Sequence, residues 1–198
     1  EIWQKLGDDT SLLYLATAYY LINNDTKATE ILRKSANLGN KQAQLRTGYA
    51  TLMGVGTNPD LKKATDIFKR LAKEKLPEAV YFTGAMFLLD EEDFVQKDPQ
   101  KARKLLLWSV NNGCKFAQFE HGVMLLKDEK TKDDGIKFIY AAAKQQEVRA
   151  MMWLAIELAR GTTIPRNIKE SQKYLEKCYN LRFTPAVMAL KEAMNTNN

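Results

Sequence analysis

Residues 43–76, AQLRTGYATLMGVGTNPDLKKATDIFKRLAKEKL, decide the fold. From Ala43, Gly48 follows five residues on, Gly54 and Gly56 close a first helix, and Asp60 opens a second whose Ala64, Phe68 and Ala72 share one face at helical spacing. A helix, a glycine turn and a second helix cannot bury their apolar faces alone. Such a unit implies further copies stacked against it.

The copies are present. The small residue at the register of Ala43 recurs as Ser11, Ala43, Ala79, Ala117, Ala150 and Ala186, with successive spacings of 32, 36, 38, 33 and 36 residues, the range of paired-helix solenoids. Five residues after each stands Ala16, Gly48, Gly84, Gly122 or Ala155, a column kept tiny so that a neighbouring helix can approach; only Lys191, in the last unit, breaks it. The second helices keep their own column of Ala28, Ala64, Ala102, Gly135 and Ser171. Four residues before each landmark come Gly7, Gly39, Lys75, Gly113, Gln146 and Arg182, a mostly glycine position suited to the left-handed residue that ends a helix.

The pattern predicts an all-α fold, an α/α superhelix (solenoid) of about five helix-turn-helix repeats over residues 9–40, 41–76, 77–114, 115–147 and 148–182, with a terminal helix over 183–195. The whole chain reads as a single repeat domain. Residues 1–6, EIWQKL, read as the tail of a second helix whose own first helix is missing, so the natural protein is expected to extend upstream; a short capping helix would look the same. Asp98-Pro99 is a strong helix start, because Asp caps and Pro fits the first turn.

These residues resemble the SEL-one-like repeats, relatives of the tetratricopeptide repeats. Unit two carries Thr47-Gly48, Gly54-Val55-Gly56 and Asp60-Leu61-Lys62-Lys63-Ala64; unit three carries Thr83-Gly84, Phe87, Asp98-Pro99-Gln100-Lys101-Ala102 and Gly113; unit four keeps Gly122 and Ala142-Ala143; unit five keeps Leu154-Ala155 and Gly161. Thr47 and Thr83 depart from the Leu of that pattern, unit one lacks the turn glycines, and Gly135 replaces the second-helix Ala. The cysteine pairs that staple secreted members are absent. The resemblance implies a right-handed superhelix acting as an adaptor or scaffold for other proteins. It implies as an alternative a dedicated inhibitor or immunity-type protein that clamps a bacterial toxin or effector, and, with less behind it, a hydrolase.

The residues favour binding over catalysis. The only histidine, His121, stands beside Gly122 where the resembled pattern places a buried Leu, and it is expected to be a core residue. One His with the two distant cysteines Cys114 and Cys178 lacks zinc-site spacing, so neither metal nor cofactor is expected. Those cysteines fall at non-equivalent positions and read as unpaired thiols, which points towards a reducing compartment. Gly54-Val55-Gly56 is too short to cradle phosphate. The net charge of +6 and pI near 9.2 suit acidic partners, but 24 acidic residues are interspersed with 30 basic ones. No basic run interleaved with aromatics points to nucleic acid, and no apolar run reaches the ~18 residues of a membrane span.

The expected partner is another protein or a peptide segment. By analogy with tetratricopeptide grooves, the positions two, six, nine and ten residues after each landmark line the concave face. They supply Leu13, Leu45, Tyr81 and Phe119 at plus two, Tyr49 at plus six, and Tyr20, Leu52, Leu88 and Leu126 at plus nine. Either the units bury these side chains between them, or they expose an apolar stripe. The loop over 90–97, with Glu91, Glu92 and Phe94, is the candidate accessory contact.

Overall fold

The computed structural model describes residues 8–89 and 96–181. Among them are ten helices and no strand: α1 (Asp9–Leu21), α2 (Asp25–Asn37), α3 (Lys41–Met53), α4 (Leu61–Lys73), α5 (Pro77–Met86), α6 (Pro99–Asn111), α7 (Lys115–Leu125), α8 (Lys132–Lys144), α9 (Val148–Arg160) and α10 (Ile168–Asn180). The chain is an all-α helical-repeat solenoid, and among the described residues the first helix of each pair starts at Asp9, Lys41, Pro77, Lys115 or Val148. The expected opening helix over 1–6, the terminal helix over 183–195 and the loop residues Glu91, Glu92 and Phe94 lie outside the described residues.

Local chemistry sets the helix ends. Asp8, Asn24, Asn40, Asp60, Asp98, Glu147 and Asn167 each accept the backbone N–H three residues on, at 2.8–3.1 Å. Each such cap satisfies a donor that the first helical turn leaves without a partner, typically worth about 1 kcal/mol. Pro77 and Pro99 occupy first-turn positions of α5 and α6, where a missing N–H costs nothing.

The left-handed joint between units is conserved in geometry more than in residue type: Gly39 (φ 100°), Lys75 (58°), Gly113 (81°) and Gln146 (59°) all occupy it. A side chain at positive φ is strained by about 1 kcal/mol or more. Lys75→Gly is therefore expected to raise the denaturation midpoint, by about 1 kcal/mol of stability. A midpoint that stays put or falls would show that the Lys75 side chain contributes more than its backbone costs.

The helices group into two compact units, each larger than a single repeat: unit 1 ends at Asn112 and unit 2 begins at Gly113. In unit 1 each of α1 to α5 packs on the helix that follows it; in unit 2 the packed pairs are α7 with α8, α8 with α9 and α9 with α10. The small columns are where this packing happens. Ala16, Ala28, Ala43, Ala64, Ala79, Ala102, Ala150, Ala155 and Ser171 are all fully buried. In unit 2 the two columns meet as glycine against glycine. A Cβ added to Gly122 would lie 2.7 Å from the Gly135 carbonyl oxygen, and one added to Gly135 would lie 2.7 Å from the Gly122 carbonyl oxygen.

Unit 1 has a second close approach at the glycine turn after α3. Gly56 (φ 63°) lies so near the start of α2 that an added Cβ would fall 2.1 Å from the Asp25 carbonyl oxygen. Thr29 of α2 donates to the Val55 carbonyl at 2.9 Å and shares a 2.8 Å hydrogen bond with the Tyr20 hydroxyl of α1, while Arg33 donates to Thr57 at 2.8 Å. The turn of the second repeat is thus fastened to α2 directly, and to α1 only through Thr29. Of the threonines that replace Leu, Thr47 donates back to the Ala43 carbonyl at 2.8 Å. The Thr83 hydroxyl is buried with no hydrogen-bond partner among the described residues.

Candidate protein-binding surface

In unit 1 the first helices of successive repeats meet through side chains. Arg46 of α3 donates to the Thr17 hydroxyl of α1 at 2.9 Å, and the Tyr49 ring of α3 lies 6.0 Å from the Phe82 ring of α5. These links join landmark-plus-six on one helix to landmark-plus-three on the next, so equivalent positions run in a row across α1, α3 and α5. The residue stretches 10–22, 47–59 and 79–89 contain no charged side chain. Their outward positions are accordingly uncharged.

The structure divides the expected groove residues. Tyr49 and Leu88 are exposed, at 44% and 49%. Leu13, Tyr20 and Leu52 are half-buried; Leu13 and Tyr20 pack on the core of Leu15, Ala16, Ile31, Leu32 and Ala43, and Tyr20 is further held by Thr29. Leu45 and Tyr81 are interior residues, each 8% exposed, and Tyr81 sits edge-on to Phe82 with ring centroids 5.2 Å apart. Position plus two thus faces the neighbouring helix and not an open groove.

Phe119 and Leu126 in unit 2 are half-buried and pack on a core that includes Ile139, Met151, Leu154 and Leu175. The Arg149 guanidinium covers Phe119, with 5.0 Å between its central carbon and the ring centroid. Arg149 also holds Glu120 at 3.2 Å and Glu147 at 2.8 Å.

Position plus ten supplies what the expected set lacks. Leu21, Met53 and Leu89 stand there in the three repeats of unit 1, exposed at 55%, 58% and 38%. With Tyr49 and Leu88 they form an apolar row of the kind that marks interaction sites. The signal is legible in the sequence, since plus ten is a groove position by the same analogy and carries Leu21, Met53 and Leu89 in successive repeats. Unit 2 carries Lys127 and Arg160 at that register, so the row belongs to unit 1.

His121 is half-buried, not a core residue, and meets Phe138 edge-on at 5.1 Å. Cys114 and Cys178 are both buried and form no disulfide; burial, and then the negative charge of Glu147, push the Cys178 thiol up to about 11. Such a thiol is a poor nucleophile at neutral pH. Among the described residues no group of three or more His, Cys, Asp or Glu side chains is placed to hold a metal ion, and no helix is long and apolar enough to cross a membrane.

A solenoid of paired helices with an apolar row and closely packed small columns is a helical-repeat protein. Residues 11–40, 41–75, 77–108 and 148–181, more than half of the chain, match the Sel1 repeat, and the chain belongs to the Sel1 repeat family. Residues 115–147 fall outside those stretches, yet α7 and α8 occupy them with the same columns.

Among curated proteins the chain is similar to the DAP3-binding cell death enhancer 1 of Rattus norvegicus, with 25% identity over 183 residues covering 92% of this chain and 36% of that protein. The Mus musculus counterpart is 26% identical over the same shares. The chain thus spans about a third of the length of these relatives. Among solved structures it is similar to an immunity protein of Pseudomonas aeruginosa (TM-score 0.60, 18% identity, 86% of this chain and 64% of that one). It is also similar to a Sel1 repeat protein of Oxalobacter formigenes (TM-score 0.54, 17% identity, 88% and 73%). At these identities the likeness establishes the fold.

Proposed function

We propose that this chain is a non-catalytic protein-binding module, an adaptor or scaffold, that holds a segment of a partner protein on the apolar row of unit 1. The observation that carries this reading is the exposure of Leu21, Met53 and Leu89 at one register of three successive repeats, beside exposed Tyr49 and Leu88. An uncharged row costs little to desolvate, and rigid aromatic and aliphatic side chains are the usual anchors of interface hot spots. Membership of the Sel1 repeat family supports the reading. So does the name of the curated relatives, which records binding to another protein.

Met53→Asp combined with Leu88→Asp tests it. Both side chains are exposed, so the variant is expected to melt near the wild-type temperature while partner affinity falls by roughly 2 kcal/mol or more, the scale of interface hot spots. Affinity capture from native lysate with the wild-type chain and the variant in parallel identifies the proteins whose retention depends on the row. Unchanged retention of every partner by a folded variant would mean that this face is not the binding surface. The same capture separates a second reading, a dedicated inhibitor of a toxin or effector: one stoichiometric partner supports the inhibitor, several support the scaffold. Turnover of a substrate by the purified chain would overturn both.

A further inference from the structure

A cavity of about 390 Å³ opens in unit 1, lined by Arg33 and Asn37 of α2, Gln44 of α3, and Lys63, Ile67 and Arg70 of α4, with no acidic side chain in its lining. Nearby on these helices, Lys27 and Lys34 both hold Glu30, and Lys41 holds Glu74. Arg33 donates to the neutral Thr57 hydroxyl, and Arg70 reaches the neutral Gln44 amide oxygen only at 3.5 Å. Among the described residues Arg33, Lys63 and Arg70 have no carboxylate partner. Gln44 is held in place by donating its amide to the Ala36 carbonyl at 3.0 Å.

Three positive side chains lining one cavity that no carboxylate lines leave a local excess of positive charge that an anion would relieve. Two planar guanidinium forks and a lysine point charge are the donor set that recognises tetrahedral oxyanions. A phosphate monoester, at about −1.5 to −2 near neutral pH, balances the site better than a single carboxylate. The volume falls in the range of small-ligand sites, roughly 300–1,000 Å³. It leaves room for whatever carries the phosphate.

We propose that this cavity is a binding site for a phosphate monoester group, carried either by a phosphorylated side chain of a partner protein or by a free phosphate compound. None of its residues belongs to the apolar row, so the inference goes beyond the partner-binding reading and fails or stands separately from it.

The test is an amide nitrogen–proton correlation titration of the full chain with inorganic phosphate at constant ionic strength. Saturable shifts are expected at Gln44, Lys63 and Ile67, with at least tenfold weaker binding in the Arg33→Gln/Arg70→Gln variant. No saturable shift at these amides in the wild-type chain overturns the proposal, and that result needs no variant to fold. So does the same response to acetate at equal concentration. A phosphoserine peptide that binds tenfold more tightly than inorganic phosphate assigns the group to a protein partner; equal affinity assigns it to a free phosphate compound.

Discussion

Gly56→Ala is expected to cost about 3–5 kcal/mol of stability, the largest effect of any one-methyl change in unit 1. Two penalties combine there. An L side chain at φ 63° is strained by about 1–2 kcal/mol, and the new Cβ would overlap a backbone oxygen 2.1 Å away, which cannot rotate aside. Relief requires the turn to lift off α2, and lifting it breaks the Thr29–Val55 and Arg33–Thr57 hydrogen bonds. Two controls isolate the contact. Gly54 is also left-handed, but its added Cβ would meet nothing nearer than Pro59 Cδ at 3.2 Å, and Gly39 has nothing within 4 Å. Gly39→Ala should therefore show the strain alone, and Gly54→Ala the strain with one mild contact to Pro59. Urea denaturation of the three variants decides the matter: equal midpoints would mean that the Asp25 contact carries no weight.

Gly122→Ala is the second large effect, with an expected loss of about 2–4 kcal/mol even after the gain of about 1 kcal/mol that Ala brings to a helix interior. The new methyl would meet the Gly135 carbonyl oxygen and Ile139 Cγ1, both at 2.7 Å, so α7 and α8 must separate. Gly135→Ala wedges the same pair from the other side. Once either methyl has opened the interface the second has less to displace, and the double variant should lose less than the two single losses combined. Calorimetric or urea midpoints for the four proteins of that cycle test it; strict additivity would show that the two glycines do not share one contact.

The fold was legible because its determinants are local and periodic. Gly48, Gly84 and Gly122 mark close helix contacts, Asp60 and Asp98 cap as expected, and the left-handed joint persists at Lys75 and Gln146 where glycine is lost. The candidate surface was only partly legible. Whether a groove position is open depends on how the next first helix lies against it, and periodicity does not encode that: Leu45 and Tyr81 turned inward, while Leu21, Met53 and Leu89 came to the surface. His121 proved half-buried for the same reason. The convergence of Arg33, Lys63 and Arg70 had no sequence signal at all, since α2 and α4 are separated in the chain by the whole of α3.

Packing mainly between helices adjacent in sequence also governs how fast the chain acquires its structure. Few distant segments must find one another, so little loop-closure entropy opposes the transition state, and helical arrays of low contact order fold in microseconds to milliseconds. Nucleation can begin at any helix pair and spread to its neighbours. The glycine pair Gly122 and Gly135 lies inside one such nucleus, α7 with α8, so a methyl there should slow folding, whereas one at Gly56, between repeats, should chiefly hasten unfolding.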